Sequence, residues 1–221
     1  MTAENLITGN VVSLHPGDTG AFALARMEEL RLSHLPVTEG PELAGIISEK
    51  AIMGAEDPDL PIGMYPDRFE RLFVNPAQPL FEVLRLFTLH RLTMLPVAAE
   101  DGRYMGAILL PAVTDRVAQL AGVHLPGGII TLEVSERDFS LSGIVGIVES
   151  NDARILSCLV THMAADAKYL VTLKLSRVSI GPLLQAFFRH NYHVTGSWSD
   201  ENTYQEGLRE RFDALMNYLS I

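Results

Sequence analysis

The chain has 221 residues, of which 48% are hydrophobic and 20% are charged, and its formal net charge at pH 7 is −10. This composition is typical of globular proteins, and the length is enough for one large domain or two ordinary ones. The negative charge opposes binding to a nucleic-acid backbone or to an anionic membrane surface, so neither is predicted as a partner.

A segment in the first half of the chain occurs twice. The residues Arg-Leu-Ser-His-Leu-Pro-Val at 31–37 recur as Arg-Leu-Thr-Met-Leu-Pro-Val at 91–97. The residues Leu-Ala-Gly-Ile-Ile-Ser at 43–48 are matched by Tyr-Met-Gly-Ala-Ile-Leu at 104–109. Because the matching segments follow one another in the same order, the sequence predicts two copies of one structural unit.

Each copy is predicted to form a β-α-β-β-α unit. Asp18 is the predicted N-cap of the first helix, and Pro79 is predicted at an early position of the corresponding helix in the second copy. The buried helix faces are predicted at Ala23, Met27 and Leu30 and at Leu80, Leu84 and Phe87. The strands that follow these helices are predicted at residues 35–38, 43–48, 94–98 and 104–109.

This tandem unit resembles the CBS domain pair, also called a Bateman module, over roughly residues 6–120. The Leu-Pro-Val strand starts and the Gly-apolar-apolar strand ends carry the resemblance. It implies an α+β fold with one repeat at residues 1–64 and a second at residues 65–125. It also implies a regulatory role rather than catalysis.

The resemblance further implies an adenine nucleotide, such as AMP, ADP or ATP, in the cleft between the repeats. The family pattern there is Gly-apolar-apolar-Ser/Thr-x-x-Asp. The first repeat keeps the hydroxyl as Ser48 but has Ala51 in place of the aspartate, whereas Leu109 and Ala112 replace both polar groups in the second. An unpaired buried hydroxyl costs about 1–3 kcal/mol, so one site at most is expected.

The candidate ligand-binding residues lie in the first repeat, and they are His34, Pro36, Gly45, Ile46, Ser48, Glu49 and Lys50. In this interpretation Ser48 and the nearby carboxylate of Glu49 meet the ribose, while His34 or Lys50 meets phosphate. The alternative interpretation is that Ser48 only caps the helix that follows it. His34 and Lys50 are then solvated surface residues, and the cleft is vestigial.

Pro126-Gly127-Gly128 marks a predicted domain boundary near residue 125. The segments after it are predicted as a strand around 130–134, a helix at 142–150, strands at 153–163 and 169–175, a helix at 180–188 and a strand at 192–198. This β-α-β-β-α-β order is that of ferredoxin-like domains, so residues 126–200 are expected to form one. The tail at residues 201–221 is predicted as an amphipathic C-terminal helix, with an apolar stripe at Tyr204, Leu208, Phe212, Leu215 and Leu219.

The residues Ala-Arg-Ile-Leu-Ser at 153–157 resemble the entry of the second strand in ACT domains. A CBS pair followed by an ACT-like domain is similar to the arrangement of acetoin-utilisation AcuB-type proteins. The amino-acid-binding signature of ACT domains places an acidic or amide residue before x-Pro-Gly. Asp138 matches its first position, but Leu141 stands where glycine would let the backbone approach a ligand. Dimerisation is therefore expected of this domain in place of amino-acid binding.

Two other features could carry chemistry. His190 and His193 have a spacing that metal ligands can use, but they straddle a helix end, where a histidine interacting with the helix dipole is the simpler interpretation. The single cysteine, Cys158, lies in an apolar run and is expected to be a buried, inert thiol. No phosphate-binding loop, nucleophile elbow or His-Glu-x-x-His motif is present in the sequence.

The chain lacks a signal-peptide pattern and any apolar stretch near the ~20 residues that span a bilayer, so a cytoplasmic location is expected. We expect a non-catalytic regulatory or sensor protein that forms a homodimer and relays ligand binding to an unknown partner protein. The alternative is a ligand-free homodimeric scaffold with degenerate binding sites. An enzyme acting on acetoin-like substrates is a third hypothesis, but no acid–base or nucleophile set is visible for it.

Overall fold

The structure, a computed structural model, describes residues 1–9, 11–55 and 57–199. The predicted C-terminal helix at 201–221 and its apolar stripe lie outside the described residues. The chain divides into two compact units, Met1–Arg116 and Val117–Ile221. Within the described ranges, no helix is both long and apolar enough to cross a lipid bilayer.

The first unit contains two antiparallel hairpins and their flanking helices. Its elements are α1 (Gly20–Leu30), β1 (His34–Glu39), β2 (Glu42–Ser48), α2 (Glu49–Met53), α3 (Leu80–His90), β3 (Met94–Ala98), β4 (Tyr104–Leu109) and most of α4 (Leu110–Leu120), with short 3₁₀ helices at Ala3–Leu6, Ile62–Met64 and Pro66–Arg68. β1 pairs with β2 and β3 with β4, and each pair has a register shift at the same place, after Val37 and after Val97. The α+β fold class is confirmed.

Equivalent residues of the two sequence copies occupy equivalent positions. α1 and α3 both end at an arginine in the left-handed conformation, Arg31 with φ 55° and Arg91 with φ 51°. Pro36 and Pro96 each lie opposite a buried residue of the partner strand and accept a backbone hydrogen bond from Leu14 and Val74 respectively, at 2.8 and 3.0 Å. The copies therefore share backbone geometry as well as sequence.

The first strand predicted for each copy is reduced to an isolated bridge. Leu14 pairs in parallel with Val37, and Val74 pairs in the same way with Val97. Prolines follow two residues later, at Pro16 and Pro76. Because proline has no N–H to donate, the pairing does not extend further along the chain.

The outer edge of each hairpin is completed by chain from the other sequence copy. Ile46 in β2 exchanges two backbone hydrogen bonds with Glu70, at 2.9 and 2.8 Å, and Gly45 has φ 153° beside it. In the second hairpin, Thr8 donates its N–H to the carbonyl of Ala107 at 3.0 Å. Residues near the start of the first repeat thus close the second hairpin, and residues near the start of the second repeat close the first.

Three local predictions were wrong by small amounts. The N-cap of α1 is Thr19, whose hydroxyl accepts from the N–H of Phe22 at 3.1 Å, while the carboxylate of Asp18 accepts from the N–H of His15 at 2.7 Å. Pro79 is the N-cap of α3 rather than a residue inside it. Leu30 is 37% exposed because it is the last residue of α1, where the helix leaves the core.

The described part of the second unit contains one four-stranded antiparallel sheet and two helices. Its elements are β5 (Ile129–Ser135), α5 (Leu141–Glu149), β6 (Ile155–Met163), β7 (Lys168–Leu175), α6 (Gly181–Arg189) and β8 (His193–Trp198), after the end of α4. The strand order across the sheet is β6-β7-β5-β8. The central strands β5 and β7 are therefore paired on both sides.

Among the described residues of this unit, the helices α5 and α6 cover one face of the sheet. The buried cluster contains alternate residues of β5 and β7 together with α5 and α6, including Ile130, Leu132, Val171, Leu173, Ile144 and Phe187. The intervening residues of the same strands, such as Ile129, Thr172 and Lys174, point to the opposite face because side chains alternate along a strand. This second face is termed the open face below.

Candidate functional site

Two of the predicted ligand-binding residues face each other in the first hairpin. His34 at the start of β1 is the register partner of Ser48 at the end of β2. α2 begins directly after Ser48, which places Glu49 and Lys50 in its first turn, where both are exposed. The hairpin thus brings His34, Ser48, Glu49 and Lys50 to one end of the first repeat.

Ser48 is the N-cap of α2. Its hydroxyl oxygen accepts a hydrogen bond from the N–H of Ala51 at 3.2 Å, and the N–H of Glu49 donates to the carbonyl of Ser33 at 2.9 Å. A serine hydroxyl has one donor and two acceptor positions, so capping leaves its O–H able to donate to a ligand. The capping and ligand-binding interpretations of Ser48 are compatible.

Pro36, Gly45 and Ile46 shape the hairpin from within. Pro36 and Ile46 are buried register partners, and Ile46 belongs to the hydrophobic core. A Cβ on Gly45 would lie 2.9 Å from the carbonyl oxygen of Glu70, so the segment at Glu70 passes close to the backbone there. The side chains of Pro36 and Ile46 pack in the protein interior, away from the exposed end that holds His34.

Thr93, which the sequence analysis did not select, connects the second repeat to this site. Its hydroxyl oxygen accepts from the N–H of Ser33 at 3.0 Å and lies 3.3 Å from Nδ1 of His34. Its carbonyl accepts from the N–H of Leu110 at 3.2 Å. The sequence contains one signal for this contact, because the equivalent positions 33 and 93 of the two copies both carry a hydroxyl side chain.

Arg68 fills the space beside Ala51, where the family pattern has its aspartate. Its guanidinium donates to the carbonyl oxygens of Ala51 and Gly54 and lies 5.4 Å from the ring centre of Tyr65. The cavity at this place measures only about 10 Å³. A ribose cannot enter it unless Arg68 moves.

A larger cavity of about 640 Å³ opens between α1 and α2. Its lining combines apolar and polar side chains, namely Leu24, Ala25, Met27, Glu28, Arg31, Leu32, Ser33, Glu49 and Met53. Glu49 and Ser33 are the sequence neighbours of Ser48 and His34. The volume lies within the roughly 300–1,000 Å³ of small-molecule sites, and Arg31 supplies a cation that can meet phosphate.

His34 is half-buried, and its titration gives the site a pH dependence. Desolvation lowers the pKa of the imidazole below 6.5, and the charge of Glu70 partly offsets this by raising it. As pH falls below about 6.5, the imidazole of His34 therefore takes up a proton in the unfolded chain before it does so in the folded protein. Protonation thus favours the unfolded state, and acidification lowers the free energy of unfolding.

We expect the free energy of unfolding to fall more steeply from about pH 7 to about pH 5.5 in the wild type than in His34→Gln, measured by urea unfolding. Parallel profiles would contradict the assignment.

The candidate residues of the second unit are occupied by local contacts. His190 is the C-cap of α6, and Nδ1 of His193 lies 3.4 Å from Glu133. In the described part of the chain, no three His, Cys, Asp or Glu side chains are grouped to hold a metal ion. The carboxylate of Asp138 accepts from the Ser135 hydroxyl at 2.6 Å, and burial raises the pKa of the half-buried Cys158 thiol.

In a comparison with protein families, residues 3–57 match the CBS domain. A curated relative, an inosine-5'-monophosphate dehydrogenase of Korarchaeum cryptofilum, is 27% identical over 106 residues, which are 48% of this chain and 22% of the relative. The chain therefore spans about a fifth of the length of that enzyme.

Several solved structures are similar to part of the chain. A CBS domain pair/ACT domain protein of Thermotoga maritima is 20% identical with a TM-score of 0.48, covering 54% of this chain and 98% of that one. CBSX2 in complex with AMP is 20% identical with a TM-score of 0.46, covering 54% and 97%. The cytosolic domain of the Mg²⁺ channel MgtE in complex with ATP is 24% identical with a TM-score of 0.44, covering 52% and 48%.

Proposed function

We propose that this chain is a non-catalytic regulatory or sensor protein whose first repeat binds an adenine nucleotide or a similar small metabolite. The observation that carries the proposal is the register pairing of His34 with Ser48, whose sequence neighbours Ser33 and Glu49 line the cavity between α1 and α2, within a segment that matches the CBS domain. Binding of the ligand is then relayed to a partner protein. The nucleotides bound by AMP- and ATP-containing CBS proteins define the ligand class to be tested first.

The two repeats differ at the same register position, which supports a single site. The pair equivalent to His34 and Ser48 is Met94 and Leu109, and Met94 is fully buried. Neither side chain offers a hydrogen bond to a ribose or phosphate group. A ligand with several hydroxyls would leave them unpaired at the second repeat, which costs about 1–3 kcal/mol for each.

A second candidate function is a ligand-free scaffold. Arg68 supports it, because this side chain already occupies the space beside Ala51 and satisfies the carbonyls there. In this alternative the repeats retain the fold of a binding module without its ligand. The clefts are then filled by the protein's own side chains.

Titration calorimetry of the full chain with AMP, ADP and ATP tests both functions. We expect one site per chain, weakened about tenfold by Ser48→Gly, since a hydrogen bond contributes roughly 1 kcal/mol or more. Glycine replaces serine at an N-cap at a cost of only a few tenths of a kcal/mol, so a folding defect does not account for that loss.

Leu109→Ser is the matched control. It restores a hydroxyl in the second repeat, but the buried Met94 opposite it leaves the site closed, so the stoichiometry is expected to stay at one. Two equal sites, or indifference to Ser48→Gly, would count against the first function. The absence of heat with all three nucleotides would favour the scaffold.

The remaining features of the proposal concern the second unit. Its element order and strand order support an ACT-like assignment. The carboxylate of Asp138, at the first position of the amino-acid-binding signature, already accepts a hydrogen bond from the Ser135 hydroxyl. Phe188, which is 60% exposed on α6, supplies apolar surface for the predicted homodimer. The cytoplasmic location and the regulated partner stay predictions from the sequence.

A further inference from the structure

The open face of the sheet in the second unit carries a cavity of about 630 Å³. Its walls are mostly apolar and include Val123, Leu125, Ile129, Leu159 and Trp198. The volume is within the roughly 300–1,000 Å³ that small-molecule sites occupy. This cavity is termed the sheet groove.

Lys174 is the charged residue of the sheet groove. It lines the cavity from β7 and is only 9% exposed. Its ammonium donates one hydrogen bond, to the carbonyl of Gly127 at 2.8 Å, and lies 6.0 Å from the ring centre of Trp198. An ammonium has three N–H donors, so this single bond does not use its capacity.

No described residue neutralises this charge. In the described ranges, Lys174 forms no ion pair with a carboxylate. Lys168 on the same strand, by contrast, forms an ion pair with Glu133 at 2.7 Å. Among the described side chains that line the groove, none is acidic. A buried charge without a counter-ion is costly, and an anion that enters the groove would remove that cost.

We propose that the sheet groove is a binding site for a small carboxylate with an apolar body, with Lys174 as its counter-ion. The aliphatic and aromatic walls bury the body of the ligand, and the ammonium forms a charge-assisted hydrogen bond to the carboxylate. This site is separate from the signature at 138–141, none of whose residues line the groove. It is also independent of the nucleotide proposal, because its lining belongs to the second unit.

The charges of the groove select among carboxylates. An α-amino acid carries an ammonium next to its carboxylate, and the described lining offers no acidic side chain to pair with it. The hydroxyl of Ser157, which also lines the groove, already donates to the carbonyl of Ala121 at 2.8 Å. A simple monocarboxylate is therefore bound in preference to the amino acid with the same side chain.

Three probes of nearly equal shape test this selectivity on the full chain: 4-methylpentanoate, its amide 4-methylpentanamide, and leucine. Trp198 is the only tryptophan in the chain and lines the groove, so its fluorescence reports binding directly, with titration calorimetry as the second measurement. We expect saturable binding of 4-methylpentanoate and at least about tenfold weaker binding of the amide and of leucine.

Lys174→Gln is expected to weaken 4-methylpentanoate binding by about tenfold or more and to leave the amide unchanged. Lys168→Gln is the matched control, because it makes the same charge change on β7 outside the groove lining, and it is expected to bind like the wild type. Should Lys174→Gln fail to fold, Leu159→Gln on the apolar wall is expected to weaken binding of the acid and the amide together.

The proposal is overturned if 4-methylpentanoate gives neither saturable heat nor a fluorescence change. It is equally overturned if the wild type binds the acid and the amide with the same affinity, which is the result expected of a lysine that only fixes the loop at Gly127. Equal binding of leucine and 4-methylpentanoate would refute the selectivity.

Discussion

Phe187→Ala is expected to destabilise the second unit by about 3–5 kcal/mol, because a fully buried aromatic side chain leaves a cavity that its neighbours fill only in part. Phe187 on α6 is 0% exposed and packs edge to face with Tyr192, with ring centres 5.6 Å apart. The measurement is the free energy of unfolding from urea titration followed by circular dichroism.

The adjacent residue provides the control. Phe188 is 60% exposed, so Phe188→Ala is expected to change stability by less than about 0.5 kcal/mol. Similar losses for the two variants would mean that α6 does not face the sheet as described.

Gly127→Ala is expected to cost about 2–4 kcal/mol in the same unit, from backbone strain of roughly 1–3 kcal/mol and the loss of adjacent hydrogen bonds. Gly127 has φ 148°, and a Cβ there would lie 1.8 Å from the carbonyl oxygen of Leu175. The backbone would have to move, which disturbs the bond from the N–H of Gly128 to Arg177 at 2.7 Å.

Gly146→Ala makes the same chemical change inside α5, where a Cβ meets nothing within 4 Å. There it is expected to stabilise the helix by up to about 1 kcal/mol, since alanine is the better helix former. Urea unfolding of both variants measures the contrast. A Gly127→Ala protein as stable as Gly146→Ala would contradict the close approach at Leu175.

Much of the first unit could be predicted because its repeat is encoded locally. The strands of both hairpins follow from Leu-Pro-Val runs and apolar strand ends, and those signals act within a few residues. The N-cap of α1 was misplaced by one residue because Asp18 and Thr19 are both good capping residues. Only the backbone conformation at Thr19, with φ −79° and ψ 156°, decides between them.

The contacts that complete the sites could not be predicted in this way. Arg68 reaches Ala51, and Thr93 reaches His34, across long stretches of sequence. Strand alternation predicts that Lys174 points away from the helices, but it does not predict that the loop at Gly127 returns to cover it. Such contacts depend on the tertiary fold, which local sequence patterns do not predict.

The closure of each hairpin by chain from the other copy has a consequence for fragments. A cut after residue 64 would remove the segment at Glu70 that pairs with Ile46 and leave β2 with an unpaired edge. Exposed edges recruit strands from other molecules. The missing segment would then come from a second polypeptide, so domain-swapped assembly and aggregation are the expected fates of an isolated copy. The unit that is repeated in the sequence is therefore smaller than the unit that can fold alone.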